Sequence, residues 1–342
     1  QFGTKVKNFS VLGGLRMEAT NIDINLLTTD QNTHKSYVDW FPSLFLGYEI
    51  NDTDQFTVSY SRRLRRPWSR FINPFPSLES TTNIFMGNPD LDPTYTNAFD
   101  FGYLKRWDKV SFNTSAYYNH STGVFLFVTR ETGNFVEIEN PDDPDNPVLV
   151  PVLVRSPINL ADESRLGAEF TTTYTPKTNW RLTWNLNLFQ QSLRGDYTYN
   201  NYLDEEITQN FDSDNFSWFT RLSAKIPLPA KIDFQTNLFY YGRSVDAQNV
   251  SKGSLNTSLA FSKDILNEKA TLTLNVSDLF NSRKRRTETR TENVSTYSEF
   301  QWRERQINLT FMYRFNQKKN QNSKGNQREG GGGGEDMNNF EG

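Results

Sequence analysis

Apolar and polar residues alternate along most of this chain with a period of two. Between residues 180 and 188, Trp180, Leu182, Trp184, Leu186 and Leu188 occupy one set of positions, and Arg, Thr and Asn occupy the positions between them. Successive side chains of a strand point to opposite faces, so this pattern predicts β-strands with one apolar and one polar face.

About twelve segments follow this pattern. They lie at 9–20, 38–51, 55–66, 94–107, 109–121, 162–175, 179–192, 214–227, 230–243, 252–265, 269–281 and 299–315. Several are longer than the five or six residues usual in globular strands. A strand that crosses a bilayer needs about 9 to 11 residues, and these segments are long enough.

The connections between these segments alternate in length. Short connections rich in turn residues lie at 51–54, 107–109, 176–179, 227–230 and 266–269, and long ones lie at 67–93, 122–161 and 193–213. Short turns at one end and long loops at the other are typical of transmembrane β-barrels. In hydrocarbon every backbone N–H and C=O must be paired, and a closed sheet satisfies that requirement. We therefore predict an all-β fold, an antiparallel transmembrane β-barrel.

The apolar face of the predicted strands is expected to contact lipid, and the Asn-, Thr- and Ser-rich face is expected to line the lumen. The lipid-facing candidates are Trp184, Leu186, Leu188, Phe234, Leu238, Leu309 and Phe311.

Composition narrows the protein class further. Apolar residues make up 35% of the chain and aromatic residues 14%, which is too aromatic for a disordered protein and too polar for a helical membrane protein. The 37 basic and 40 acidic residues nearly balance, which argues against general nucleic-acid binding. The chain has no cysteine, so thiolate metal sites, disulfides and thiol nucleophiles are excluded.

The alternation stops near residue 315. Residues 1–315 are assigned to the barrel, and residues 316–342 form a polar, glycine-rich tail that is predicted to be disordered. The alternative for the tail is a docking role with Phe340 as its anchor.

Several motifs resemble the TonB-dependent outer-membrane receptors, and in particular the Bacteroidetes-type outer-membrane β-barrel family. They are SRRLRRP at 61–67, NPF at 73–75, GNPDLDPTYTNAFDFGY at 87–103 and LNVSDLFN at 274–281, together with VLGGLRMEAT at 11–20, FPSLFLGYEI at 41–50 and INLTFMYRF at 307–315. In that family a strand ends in an Arg-rich, Pro-containing segment, which corresponds to SRRLRRP here, and an extracellular loop follows, which here contains NPF. A G-N-P-x-L-x-P-E-x-T-N-type motif then opens the next strand. Thr94 stands here where Glu is common.

The resemblance implies an outer-membrane receptor or transporter that binds its ligand at extracellular loops for TonB-dependent uptake. Family members carry a plug, a TonB-contacting box and about 22 strands, so this chain is expected to be the C-terminal half of a longer receptor, with TonB contacted through an N-terminal region. A small complete barrel is the alternative for the architecture. For function, the alternatives are a non-transporting barrel that scaffolds other envelope proteins and a soluble β-rich glycan binder.

Expected partners are outer-membrane lipid or lipopolysaccharide and the barrel-assembly machinery, and a surface lipoprotein is a further candidate. The closing aromatic residues Phe311, Tyr313 and Phe315 resemble the insertion signal of outer-membrane proteins, although Phe315 is not terminal.

Candidate ligand-binding residues concentrate in the loop at 67–93 and in the strand end before it. They are Arg65, Arg66, Trp68, Phe71, Phe75 and Phe85. Aromatic rings and guanidinium groups can contact a ligand, and the aromatic residues can equally fold the loop on itself.

Two basic clusters, Arg62–Arg66 and Arg283–Arg286, lie near predicted extracellular strand ends. Arginine binds phosphate in a bidentate manner, which suggests lipopolysaccharide or an anionic ligand, while pairing with Glu288 and Glu292 is the alternative.

The acidic stretch at 139–147 offers oxygen ligands but no calcium-loop glycine pattern, so no metal site, cofactor or catalytic site is predicted. The apolar run at 148–154 then requires a cover, either a loop hairpin or a partner protein. His34 and His120 are the only histidines, and no nucleophile and carboxylate pattern accompanies them.

Overall fold

A computed structural model describes residues 1–27, 31–77, 80–140, 145–245, 248–290 and 294–315. The elements in these ranges are, in chain order, β1 Phe2–Val6, β2 Phe9–Leu26, β3 Gln31–Asn51, β4 Asp54–Arg65, α1 Ser69–Ile72, β5 Asn83–Phe85, β6 Thr94–Arg106, β7 Val110–Ile138, β8 Val148–Tyr174, β9 Arg181–Arg194, β10 Asp196–Asn200, β11 Glu206–Asn210, β12 Ser213–Leu228, a 3₁₀ turn Pro229–Lys231, β13 Ile232–Tyr241, β14 Ser244–Val245, β15 Asn249–Ser251, β16 Ser254–Ile265, β17 Ala270–Ser277, β18 Arg285–Arg290, β19 Ser295–Phe300 and β20 Gln306–Tyr313.

Thirteen antiparallel strands form one continuous sheet, which we call the wall. Their order is β1-β2-β3-β4-β6-β7-β8-β9-β12-β13-β16-β17-β20, and the short strand β5 adds to β8 in parallel. Each wall strand pairs with the next wall strand along the chain, so the sheet is an up-and-down meander. The all-β antiparallel fold predicted from the alternation is confirmed. In the described part of the chain, β1 and β20 pair on one side only and form the two edges of the wall.

Cross-strand register aligns the apolar positions into rows on the outer face of the wall. One row runs through Ile226, Phe234, Phe261, Leu274 and Leu309 on five successive strands. Opposed side chains on one sheet face are the unit of sheet stabilisation, so these rows specify the register of the strands.

Aromatic residues form a second set of rows on this face, near β4 and β6. The ring centroids of Tyr60 and Phe99 are 5.0 Å apart, and those of Phe99 and Tyr118 are 6.5 Å apart. Among the lipid-facing candidates, Trp184, Leu309 and Phe311 are exposed, and Leu186, Leu188, Phe234 and Leu238 are partly exposed. Their contact with lipid stays a prediction.

The opposite, inner face of the wall is polar and hydrogen-bonded across strands. Tyr117 Oη donates to Asn187 Oδ1 at 2.9 Å, and Asn185 Nδ2 donates to a Glu169 oxygen at 2.7 Å. The guanidinium of Arg165 lies 4.8 Å from the ring centroid of Phe189. Side chains of this kind satisfy one another along a watery or plugged lumen.

Three predicted boundaries are wrong. Strand pairing continues into two segments interpreted as loops, and one predicted strand is interrupted. β7 and β8 extend through most of 122–161 as a hairpin that pairs from Val124–Ala161 to Ile138–Val148. The loop at 193–213 contains the β10–β11 hairpin. The predicted strand at 299–315 is divided between β19 and β20, and β19 belongs to a separate four-stranded sheet of order β14-β15-β18-β19.

Among the residues that the structure describes, no helix is both long and apolar enough to cross a bilayer. The predicted tail at 316–342 lies outside the described residues.

Candidate ligand-binding surface at the long-loop end

The connections between wall strands sort by length to the two ends of the strands. The turns after β1, β3, β6, β8, β12 and β16 are short, and the segments that carry α1, β5, the β7–β8 hairpin, β10–β11 and the four-stranded sheet lie at the other end. We call that second end the long-loop end. In transmembrane barrels the longer loops are extracellular.

The loop between β4 and β6 folds around one aromatic ring, that of Phe71 in α1. Its centroid lies 6.3 Å from Trp68, 6.2 Å from Phe85, 5.7 Å from Phe125 and 5.0 Å from Phe127. The last two residues belong to β7, so the loop is packed against the base of the β7–β8 hairpin. We call these five residues the aromatic cluster.

Three arginines lie over rings of the aromatic cluster. The guanidinium carbons of Arg65, Arg70 and Arg155 are 4.6 Å, 5.0 Å and 4.4 Å from ring centroids, over Phe125, Phe85 and Phe127 respectively. A cation over an aromatic face contributes about 0.5–1 kcal/mol at an exposed site and more where water is excluded. The arginines therefore help to fix the loop on β7.

The structure divides the six predicted ligand-binding residues into three groups. Phe71 and Phe85 are packed inside the aromatic cluster, together with Arg65. Trp68 and Phe75 are about half exposed, at 52% and 48%. Arg66 points away from the cluster, where its Nη2 donates to Glu18 Oε2 at 2.6 Å and to Thr20 Oγ1 at 2.8 Å.

Sequence reasoning missed Phe125, Phe127 and Arg155 as members of this surface. They lie in segments that were interpreted as an unstructured loop. The available signal is the two continuous apolar runs VFLFV at 124–128 and VLVPVLV at 148–154, which are consistent with buried strands but lack the alternation used to identify strands elsewhere in the chain. Val152 and Leu153 in the second run are buried in the hairpin, which is one of the two covers considered for this run.

The GNPDLDP stretch at 87–93 connects the loop to the wall. Gly87 N donates to Asn73 O at 2.9 Å, and Asn88 N donates to Phe71 O at 2.6 Å. A Cβ atom on Gly87 would lie 2.3–2.8 Å from the carbonyl oxygens of Asn73, Phe71 and Arg70. Glycine is required here because the backbone approaches the end of α1 so closely.

The second half of the same stretch is held by Asn159 of β8. Asp92 N donates to Asn159 Oδ1 at 2.7 Å, and Asn159 Nδ2 donates back to Asp92 O at 3.0 Å and to Gly123 O at 2.7 Å. Thr94 Oγ1 also donates to Gly123 O, and Leu91 is only 2% exposed. The motif is therefore a clasp that joins the loop, the β6 strand and the β7–β8 hairpin.

The other long loops are joined to one another above the wall. The side-chain amide of Gln248, a residue that is 3% exposed, accepts from Thr129 N at 3.2 Å and donates to Thr129 O at 3.3 Å. It thus bonds both backbone groups of Thr129, as the backbone of a neighbouring strand would. Its amide also donates to Gln209 Oε1 of β11 at 3.3 Å. Tyr202, at the tip of the β10–β11 hairpin, contacts Gly133. These contacts make the loops a continuous layer.

The basic cluster at Arg283–Arg286 lies in and before β18, and it is paired with carboxylates. Lys284 and Arg286 both donate to Glu299, at 2.6 Å and 3.0 Å. The bond from Lys284, with a second from Arg286, holds the pKa of the Glu299 carboxyl below its usual value. Pairing was the alternative for this cluster, although Glu299 was not the partner that the sequence suggested.

Glu288, which the sequence did suggest as a partner, pairs with Lys252 at 3.1 Å and with Arg290 at 3.6 Å. The hydrogen bond from Lys252 is the main reason that the pKa of Glu288 is lowered. Glu292, Asp142 and Asp143 lie outside the described residues.

The two histidines contact single polar partners. His34 Nδ1 is 2.6 Å from Asp23 Oδ1, and His120 Nδ1 is 3.2 Å from Ser164 Oγ. Within the described ranges, no three His, Cys, Asp or Glu side chains are grouped so that they could hold a metal ion.

Comparison with solved structures shows that the fold is shared with uptake receptors of the outer membrane. The ferric yersiniabactin uptake receptor FyuA of Yersinia pestis is 11% identical, with a TM-score of 0.52 over 90% of this chain and 43% of that one. The FrpB iron transporter of Neisseria meningitidis, F5-1 variant, is 14% identical, with a TM-score of 0.51 over 92% of this chain and 44% of that one.

The siderophore receptor PirA of Acinetobacter baumannii is 14% identical, with a TM-score of 0.50 over 82% of this chain and 40% of that one. This chain thus spans less than half the length of each of these three proteins. At this identity the likeness establishes a common fold. No curated protein sequence matches the chain.

A family model described as the outer membrane protein beta-barrel family matches residues 1–313, nearly all of the chain up to the polar tail. This match confirms the resemblance of the motifs to an outer-membrane β-barrel family and the outer-membrane location that the resemblance implies. The chain therefore belongs to the outer membrane protein beta-barrel family.

Proposed function

We propose that this chain is the barrel portion of an outer-membrane receptor that binds a ligand at the long-loop end for TonB-dependent uptake. The observation that carries the proposal is the ordered loop layer. A packed aromatic cluster and three arginines present the exposed rings of Trp68 and Phe75 above a polar inner wall. Ordered loops that expose aromatic rings are suited to hold a ligand.

The solved structures of the same fold support an uptake role, since they include a receptor for ferric yersiniabactin and a siderophore receptor. The identity of 11–14% gives no basis for assigning either ligand to this chain. Contacts with TonB, the barrel-assembly machinery and a surface lipoprotein are part of the proposal.

The test compares three strains of the host: wild type, a deletion of the gene for the complete protein, and a deletion of tonB. Depletion of compounds from defined medium is followed by untargeted mass spectrometry. We expect at least one compound to be taken up by the wild type and by neither deletion strain. Envelope defects in the receptor deletion without any loss of uptake would instead favour a scaffold.

Two point variants then localise binding. Trp68→Ala and Phe75→Ala should each reduce uptake of the depleted compound several-fold, because an aromatic contact is worth about 1 kcal/mol. Phe135→Ala is the matched control, since Phe135 is an aromatic residue of similar exposure, at 56%, on the distal part of β7. Equal uptake by all three variants would contradict the assignment of this surface.

A further inference from the structure

Backbone pairing between β3 and β4 stops halfway along β3. β3 pairs with β2 from Gln31 to Tyr48, but it pairs with β4 only from Ser43 to Asn51. β4 continues to pair with β6 up to Arg65. Pro42, the residue next to the last pair, has no N–H to donate and so does not extend the ladder. We call residues 15–26 and 31–42 the β2–β3 arm, and its border with β4 the seam.

The seam begins at bilayer depth. On β2 the outer face is apolar from Phe9 to Ala19, a length that matches the 9 to 11 residues needed to cross a bilayer. Gly14, which pairs with Ser43, lies at the middle of this span. The outer face of the arm above it carries exposed apolar side chains, namely Leu15 (63%), Met17 (56%), Val38 (58%) and Trp40 (52%). The part of β3 from Val38 to Pro42, which does not pair with β4, thus lies in the outer-leaflet half of the wall.

The inner face of the arm is mostly polar, and among the described residues the hydrogen bonds that join it to β6 and to the segment between β4 and β6 are made by side chains. Arg66 donates to Glu18 and Thr20, and Tyr95 Oη donates to Asp39 Oδ2 at 3.1 Å. Lys35 Nζ donates to Asp92 Oδ1 at 3.0 Å and to Leu91 O at 2.9 Å. We call these groups the polar layer.

The wall residues of the polar layer lie on the outer face of the wall. Tyr95 pairs with Leu64 in the same alternation as Phe99 and Tyr60, and Arg62 lies 5.3 Å from the Tyr95 ring centroid. The arm therefore covers the outside of β4 and β6, with its apolar face toward lipid and its polar face toward the wall.

The arm is held on β4 and β6 by side-chain hydrogen bonds, whereas neighbouring wall strands are joined by backbone hydrogen bonds. Backbone N–H and C=O groups in hydrocarbon find no other hydrogen-bond partner if two strands separate, so a border at which the strands are fully paired stays closed. The acceptors of the polar layer can be exchanged, because Arg66 bonds a phosphate oxygen as well as it bonds the Glu18 carboxylate. Anionic headgroups of a bilayer lie at the level where the apolar face of the arm ends.

We propose that the β2–β3 arm is a hinged cover over a lateral opening between β3 and β4, which admits the headgroup of an anionic outer-leaflet lipid to Arg66. The acyl chains of this lipid stay against the apolar outer face of the arm. The phosphate replaces Glu18 as the acceptor for Arg66.

The absence of cysteine from the chain permits a direct test. The complete receptor, with Ile22→Cys and with any cysteine outside this chain replaced by serine, is reconstituted in vesicles that contain phosphatidylethanolamine with a maleimide on its headgroup. Ile22 lies on the half-buried inner face of the arm and makes no bond of the polar layer. Cys at this position is modified by the lipid reagent only if a headgroup passes beneath the arm.

The labelling rate is then compared in three backgrounds. Glu18→Gln should raise it about five- to tenfold, since the ion pair with Arg66 in the closed state is replaced by a weaker hydrogen bond to an uncharged amide oxygen. Adding Arg66→Gln should bring the rate down again, because the group that holds the phosphate is gone. Ala19→Cys on the outer face is the positive control, and Ser59→Cys in the paired part of β4 is the control for general loosening.

Each other outcome would overturn the inference. Labelling of Cys at position 22 by a water-soluble maleimide alone would identify a water-filled crevice. No labelling by either reagent would mean that the arm is fixed. An equal rise at position 59 would mean that the wall as a whole is loosened, and unchanged labelling on adding Arg66→Gln would rule out phosphate binding at Arg66. None of these measurements depends on TonB or on uptake.

Discussion

Gly87 shows how much of the long-loop end depends on single backbone positions. Its N–H bonds the loop after α1, and its missing side chain leaves room for three carbonyl oxygens. The polar residues Asn88 and Asn159 then complete the clasp with side-chain hydrogen bonds to backbone groups. The loop is therefore held by backbone geometry as well as by its aromatic rings.

Gly87→Ala should loosen the loop between β4 and β6. The new methyl group would lie within 2.3–2.8 Å of backbone oxygens that cannot rotate away, and overpacking of this kind costs about 1–3 kcal/mol. Hydrogen exchange of residues 70–90 should become faster. Gly13→Ala is the matched control, because a Cβ there meets no atom within 4 Å. Unchanged exchange in the Gly87 variant would argue against the clasp.

The sequence identified the types of residue at this surface better than their partners. Phe71 and Phe85 were predicted as site residues, and the structure brings both into one cluster. Arg65 and Arg66 were predicted together, but adjacent strand residues point to opposite faces, and they separate accordingly. The partners Phe125 and Phe127 are more than 50 positions from Phe71 in the chain, and no local pattern reports such a pairing.

Among the elements, the wall strands were the most predictable. Their alternation of apolar and polar positions fixes both their type and their two faces, as the row from Ile226 to Leu309 illustrates. The β7–β8 hairpin was harder to predict because a strand that leaves the bilayer no longer needs an apolar face. Turn-like residues such as Gly123 and Gly133 then interrupt a strand that in fact continues.

Leu186→Arg and Phe234→Arg should each impair insertion of the barrel. An arginine on the lipid face near mid-bilayer costs about 2–4 kcal/mol. Heat-modifiable migration on gels measures how much folded barrel forms, and we expect a clear decrease. Gln235→Arg serves as the control, because Gln235 is the neighbour of Phe234 on the inner face. Equal folding of Phe234→Arg and Gln235→Arg would contradict the assignment of faces.

The four-stranded sheet at the long-loop end should be sensitive to acid. The pKa values of Glu288 and Glu299 are lowered by Lys252 and Lys284 respectively, from an ordinary value of 4.5. A carboxyl group with a lower pKa in the folded state contributes stability above its unfolded pKa and loses it as the pH falls through the folded pKa. The pairs are therefore complete at neutral pH and are lost progressively below pH 4.5.

Hydrogen exchange of β18 and β19, corrected for the intrinsic rate at each pH, measures this dependence. Protection should be constant from pH 7 to about 5 and should decrease at more acidic pH. The Glu299→Gln variant should show less protection at neutral pH and a weaker pH dependence. Equal pH profiles for the variant and the wild type would exclude a role for the Lys284 and Arg286 pairs.

On the scale of the whole molecule, the wall has two edges, β1 and β20, in the part of the chain that the structure describes. An exposed strand edge in a membrane protein leaves backbone groups unpaired in hydrocarbon, and such edges pair with other strands. The 342-residue chain, refolded by itself in detergent, should therefore associate with further copies. Light scattering coupled to size exclusion should give a protein mass above the 39.7 kDa of one chain. A monomer at every concentration would show that the edges are satisfied within one copy.

The clasp formed by GNPDLDP also determines what the presence of this motif indicates about another protein sequence. The contacts described for it are made within the chain, to backbone groups and to the side chains of Lys35 and Asn159, so none of them depends on a bound molecule. Loops on either side can diversify while the junction that anchors them is retained. A genome search with this motif should therefore retrieve barrels that share this junction, whatever the sequences of the loops on either side of it.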